Sequence, residues 1–142
     1  MNDKYIDIHT HSYYSSPDTT ILLNVFPHEA DKLSLKVYKS VGLHPWHIQN
    51  TWEDHISIVE KMINSGNVIA VGEAGLDKVI KTDLVLQNNV FTRQLKIAEQ
   101  HHKPLVIHCV RSYNEMVSYR KKSDQSLPWI FHWFNSDLRI AQ

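Results

Sequence analysis

The sequence predicts an α/β fold built on a mostly parallel sheet. Short apolar runs alternate with segments of helical periodicity along the whole chain. Most of those runs are continuously apolar rather than alternating, as in strands covered on both faces. A length of 142 residues with 42% hydrophobic content is enough for one domain with a buried core. One domain over residues 1–142 is therefore expected, since no repeat, low-complexity tract or linker divides them.

The first strand, Tyr5–His9, lies within YIDIHTH. Alternation puts Asp7, His9 and His11 on one side and Ile6, Ile8 and Thr10 on the other. Thr20–Phe26 and Val37–Leu43 are the second and third strands. Thr51-Trp52-Glu53-Asp54 has the form of a capping box, with the Thr51 hydroxyl placed to accept an early backbone N–H. A helix follows, with Trp52, Ile56, Val59 and Ile63 on one face and Asn64-Ser65-Gly66 as its stop. Val68–Gly72 is the fourth strand. The next helix, from about Asp83 to His102, buries Leu86, Val90, Leu95 and Ala98 and ends before Pro104. Leu105–Cys109 is the fifth strand. A helix from about Ser112 to Lys122 turns Tyr113, Met116 and Val117 inward and leaves Arg120-Lys121-Lys122 as a solvated face. Trp129–His132 is the sixth strand. Ser136-Asp137 then caps a pattern of Leu138, Ile140 and Ala141 that stops after barely one turn, as if cut in mid-element.

Fifteen basic and 15 acidic residues, with a pI near 7.2, give no broad positive field for nucleic acid, so any phosphate recognition must be local. The lone Cys109 excludes an intramolecular disulfide framework and fits a reducing compartment. Met1–Lys4 lead directly into a strand, leaving no room for a signal peptide, and no apolar run approaches membrane-spanning length. A cytoplasmic protein with no membrane partner is expected.

Four segments end their strands with metal-capable side chains: Asp7-Ile8-His9-Thr10-His11, Gly72-Glu73-Ala74-Gly75-Leu76-Asp77, Ile107-His108-Cys109 and Phe131-His132-Trp133. In parallel α/β folds the carboxyl ends of the strands form the ligand-binding face, so these groups converge on one mouth. Neutral imidazoles with a carboxylate are donors for zinc or another first-row divalent ion, and one carboxylate can bridge two. A single strand-end histidine is more commonly a hydrogen-bonded structural residue, so His108 or His132 alone would signify little. His9 and His11 together with Glu73, flanked by Gly72 and Gly75 that permit a tight turn, point to a metal. His44, after Gly42-Leu43, suits either an anionic substrate or an ordinary loop. Arg111 suits a bidentate phosphate contact or an exposed salt bridge. Cys109 reads as packing, and His47, His55, His101 and His102 as surface.

DIHTH, GLHP, GEAGLD, the Gln87…Phe91…Gln94-Leu95…Ala98 helix, Pro104-Leu105-Val106-Ile107-His108-Cys109 and Phe131-His132-Trp133-Phe134 resemble, in order, the motifs of TatD-type metal-dependent hydrolases, the TatD DNases. That family belongs to the amidohydrolase superfamily of metal-bearing (β/α)₈ barrels. The resemblance implies that His9 and His11 bind one metal, that Glu73 bridges two and is central to catalysis, and that His108 with His132 completes the other. It also puts His44, Asp77 and Arg111 near the substrate, and makes Asp7 a support for the ligand strand. The implied cofactors are one or two divalent ions, zinc first and then manganese or magnesium. The implied reaction is phosphodiester hydrolysis, as of DNA, by metal-activated water.

The family pattern also has an aspartate at the end of the eighth strand, which this chain does not reach. Asp137 is no substitute, because four residues separate it from His132 and a parallel crossover takes about a dozen. The expectation is thus a truncated TIM-type barrel with about six of the eight βα units. Its open edges would invite self-association, and its metal binding and activity would be weak. Two alternatives stand: a hydrolase of small amides, lactones or esters, and a non-catalytic, metal-binding partial barrel.

Overall fold

A computed structural model describes residues 5–141. The expectation for Met1–Lys4, and residue Gln142, lie outside the described residues. Strands β1 (Tyr5–Thr10), β2 (Thr19–Val25), β3 (Tyr38–Val41), β4 (Val68–Asp77), β5 (Leu105–Val110) and β6 (Trp129–Phe131) form one sheet in the order β1-β2-β3-β4-β5-β6. Every neighbouring pair is parallel. Sequential, all-parallel order is the strand arrangement of a (β/α)₈ barrel, and this curled sheet supplies six of its strands, with β1 and β6 at the edges. Helices α1 (Trp52–Met62), α2 (Leu84–Gln100), α3 (Tyr113–Lys122) and α4 (Leu138–Ala141) complete the chain. None of the described helices is long and apolar enough to cross a membrane.

The continuous apolarity of the central strands is explained by their double cover. Leu23, Val41, Val71, Leu105 and Ile107 share one buried cluster with Ile56 and Val59 of α1, Val90, Phe91 and Ile97 of α2, and Met116 of α3. The Phe91 ring meets Tyr119 at 5.0 Å and Trp129 at 6.0 Å, both near perpendicular, so it joins α2 to α3 and β6. Cys109 is buried in the same cluster, and burial pushes its thiol up to about 11. The thiolate is the reactive form. Iodoacetamide at about pH 8 should therefore leave the native protein unlabelled while labelling the guanidinium-unfolded chain. Rapid native labelling, followed by mass spectrometry, would contradict this packing role.

Four elements besides β4 differ from the sequence reading. First, β1 and β2 are joined by residues 11–18 with no helix, a parallel crossover shorter than the dozen residues assumed above. Without a helix over it, the outward face of β1 stays bare, and Ile6 is 70% exposed. Second, a 3-10 segment, Pro27–Ser34, fills the β2–β3 connection, its start held by Glu29 Oε2 accepting the Phe26 N–H at 3.2 Å. Third, Thr51 does not cap α1 through its hydroxyl. Its carbonyl accepts from Asp54 N and His55 N instead. Fourth, Arg120 is not a solvated charge: it donates to the carbonyls of Asp124, Gln125 and Leu127 and lies over the Trp129 ring, closing the α3–β6 turn. Lys121 and Lys122 are exposed as expected. Asp83 caps α2 by accepting from Val85 N and Leu86 N, and Asp137 caps the short α4 by accepting from Arg139 N and Ile140 N.

Candidate metal centre

The centre is assembled by a bulge. The β4 strand does not stop at Gly72 but runs to Asp77, and between Val71 and Ala74 it carries one residue more than β5 does between Leu105 and Ile107. Gly72 and Gly75 therefore serve a bulged strand, not a tight turn. Gly72 has a φ of 135°, which an L side chain rarely adopts. At Gly75, β4 and β5 approach so closely that a Cβ would stand 1.8 Å from the His108 carbonyl oxygen. At the bulge, Glu73 is brought among the strand-end imidazoles, 2% exposed.

The two carboxylate oxygens of Glu73 face different histidines. Its Oε2 lies 3.0 Å from His9 Nε2 and 3.7 Å from His11 Nε2. Its Oε1 lies 3.1 Å from His108 Nδ1 and 3.7 Å from His44 Nε2. Two groups able to hold a cation result among the described residues, His9–His11–Glu73 and His44–Glu73–His108, sharing the one carboxylate. The donor chemistry fits such an ion: His9 Nε2 and His11 Nε2 face each other at 3.0 Å and both approach Glu73 Oε2, while His9 Nδ1 is buried without a partner among the described residues. Asp7 braces this strand: its Oδ1 accepts the His9 N–H at 3.2 Å, and Tyr14 donates to its Oδ2.

The electrostatics suit donors. Burial would raise the Glu73 carboxyl, but hydrogen bonds from His108 and His9, with His44 close by, outweigh it and hold the group well below the usual carboxylate range. Burial lowers His11, His44 and His132, favouring the neutral imidazole that metals take. His108 moves the other way. Burial opposes its charge, yet both ring nitrogens face carboxylates, Glu73 and Asp77, and these raise it.

The remaining predicted residues fall as follows. His132 lies beside His9, ring centroids 4.1 Å apart, and belongs to neither donor group among the described residues. His44 stands with its Nε2 3.7 Å from Glu73 Oε1. Its Nδ1 accepts the Trp46 backbone N–H at 3.1 Å, so the neutral ring carries its proton on Nε2 and, in that tautomer, faces the centre as a hydrogen-bond donor rather than a metal ligand. Asp77 is buried, and its oxygens are engaged by Trp46 Nε1 at 2.7 Å, His108 Nε2 at 3.0 Å and Val79 N at 2.9 Å. It therefore orients His108. Arg111 is exposed just past β5, with a φ of 53°. Asp137 pairs with Arg139 and is in neither donor group. Of the histidines read as surface, His47 and His55 are half-buried and line a cavity of about 320 Å³ with Pro27, His28, Leu43 and Gln49. His101 is half-buried and His102 is exposed.

Three buried amides hold these strand ends, and sequence reasoning assigned them no role. Asn24 donates to the Gly72 carbonyl at 2.6 Å, just before Glu73. Gln94 pairs with both the N–H and C=O of Leu43, and Gln87 with those of Asp77. One helix thus clamps the backbones that carry His44 and Asp77. The signal was available: two glutamines seven apart lie on one face of a helix, here the apolar one.

Residues 23–142 match the family model described as TatD related DNase. The chain belongs to this family. It is 31% identical over 108 residues to an uncharacterized metal-dependent hydrolase of Buchnera aphidicola, a match covering 75% of the chain and 40% of that protein. The 3'-5' ssDNA/RNA exonuclease TatD of Yersinia pseudotuberculosis is 27% identical over 95 residues, 66% of the chain and 34% of that protein. The crystal structure of YJJV, a TatD homolog from Escherichia coli, superposes with a TM-score of 0.85 at 23% identity over 99% of the chain and 64% of its own. The chain thus spans well under half the length of these curated TatD relatives, and the structural likeness bears on the fold.

Proposed function

We propose that the protein is a divalent-metal-dependent hydrolase of phosphodiesters, acting on single-stranded nucleic acid in the cytoplasm. The observation that carries the proposal is the division of the Glu73 carboxylate between two imidazole sets. His9, His11 and Glu73 would hold one ion, and Glu73 with His108 a second. His132, in ring contact with His9, is the donor nearest to hand. Zinc suits this nitrogen-rich set best, with manganese or magnesium after it. Such ions supply polarisation of a phosphoryl oxygen and activation of the attacking water.

The chain's own residues bind and orient. His44 presents its Nε2–H to a non-bridging phosphate oxygen, its tautomer fixed by the Trp46 amide. Asp77 holds the His108 ring from its far side. Arg111, exposed at the end of β5, offers a planar fork to a second phosphate oxygen. Recognition is local, as the zero net charge requires. The nucleic-acid substrate is supported by the name of the Yersinia relative.

The test begins with metal content after zinc loading, followed by incubation with a single-stranded oligonucleotide and, separately, with lactone and amide substrates. Zinc uptake with release of nucleotides is expected. Turnover of lactones or amides in place of oligonucleotide would make this a small-molecule hydrolase. Uptake without any turnover would favour the non-catalytic barrel, and no uptake would remove the basis of all three.

A further inference from the structure

Trp46 follows His44 by two residues and is 63% exposed, an arrangement that costs apolar burial and that a surface loop has no packing reason to keep. Exposure of one indole is ordinary. Its fixation is not. The Trp46 backbone N–H is bound by His44 Nδ1, and its indole N–H is bound by Asp77 Oδ2 at 2.7 Å, on a carboxylate that is itself 2% exposed. The ring stands near perpendicular to His44, with centroids 5.1 Å apart, and to His108 at 5.9 Å. One anchor, His44, belongs to a donor group and the other, Asp77, holds the His108 ring, so the indole is held at the rim of the centre with its polar atom already used. What remains to solvent is a rigid π surface. Trp133, still more exposed, has no such anchor among the described residues, and its ring lies 5.6 Å from that of the neighbouring His132.

A pre-oriented aromatic face next to a phosphate site suits a flat, apolar group one sugar away from the phosphate. Single-stranded nucleic acid presents such a group at every residue, and base–aromatic stacking tolerates any sequence because every base has a π face. We infer that Trp46 is a stacking platform for the nucleobase beside the reacting phosphate, and so sets a preference for substrates that carry a base there. This rests on the nucleic-acid reading above. It also gives the neutral chain a source of affinity that does not depend on a basic surface.

The probe is phosphorothioate-linked dT4, which resists hydrolysis, together with four versions of it that each lack one thymine. Their binding to the zinc-loaded protein is followed by fluorescence anisotropy. One abasic version should bind wild type about 5- to 150-fold more weakly than dT4, the equivalent of about 1–3 kcal/mol. Trp46→Ala should lose a similar factor for dT4 and no longer distinguish that abasic version. Trp46→Phe, which keeps a ring but loses the bond to Asp77, should retain the distinction, which separates stacking from support of Asp77. If dT4 binds but Trp46→Ala binds it as tightly as wild type, or if all four abasic versions match dT4, the platform is overturned while the nucleic-acid reading stands. Failure of wild type to bind dT4 at all would overturn both.

Discussion

Replacing Glu73 by glutamine is expected to remove metal binding, and with it the proposed hydrolysis, while leaving the fold in place. The glutamine is nearly isosteric, so the bulge that aims the side chain is undisturbed. What it removes is the only carboxylate shared by the two donor groups. Breaking a buried charge pair by deleting one partner costs about 3–5 kcal/mol, which corresponds to about two to four decades in a binding constant. Here both ion positions lose their common ligand, so zinc content should fall toward zero, with any oligonucleotide hydrolysis falling at least as far. The fold should tolerate the change better. His11 and His44 border Glu73 and are lowered by burial, so they need not be charged, and His108 can release its proton once one of its two carboxylate neighbours is gone. Zinc analysis, nucleotide release and thermal melting of wild type and variant check this together. Equal hydrolysis by both proteins would assign the activity to a contaminant. Equal zinc content would mean that Glu73 does not bridge.

How much of this centre could be read from the chain depends on whether spacing or packing places each residue. His9 and His11 share a face because strands alternate, and that follows from YIDIHTH alone. His108 stands at the end of a strand that the apolar run Leu105–Cys109 already marks, and α2 is nearly as long as its periodicity says. The fourth strand was read short because Gly72 and Gly75 signal a turn in one dimension, whereas in three they permit a bulge and a close strand approach. The 3-10 segment after β2 was missed because it has no helical period to detect. Which histidine joins His108 around Glu73 Oε1 is set by the path of the loop after β3, where Trp46 ties His44 down. Spacing along the sequence carries no record of that tie. Gln87 and Gln94 are the instructive middle case. Their positions on the buried face of α2 were visible, but their partners are backbone groups of Asp77 and Leu43, which no side-chain pattern reveals.

Adding one methyl group at Gly75 should be the most damaging single change outside the ligands themselves. Gly75 is paired in register with His108, and an alanine Cβ there would meet the His108 carbonyl oxygen at 1.8 Å and its carbonyl carbon at 2.8 Å. Both are backbone atoms of a central strand, so no side-chain rotation relieves the contact. Either β5 moves away from β4 or the ladder between them breaks. Overpacking a core typically costs about 1–3 kcal/mol, and a clash with backbone belongs at or above the top of that range. For a chain of this length about 3 kcal/mol lowers the melting temperature by roughly 10 °C. The movement would also carry His108 away from Glu73 and Asp77, since the carbonyl being displaced is its own. Zinc affinity should thus fall in Gly75→Ala even at temperatures where the variant remains folded. Gly66→Ala is the matched control, because a Cβ at Gly66 has nothing within 4 Å, and it should leave both melting and zinc binding near wild type. If the two variants melt alike, the close approach of β4 and β5 is not what orders the centre. If Gly75→Ala loses stability but binds zinc as wild type does, His108 is not held in place through its backbone.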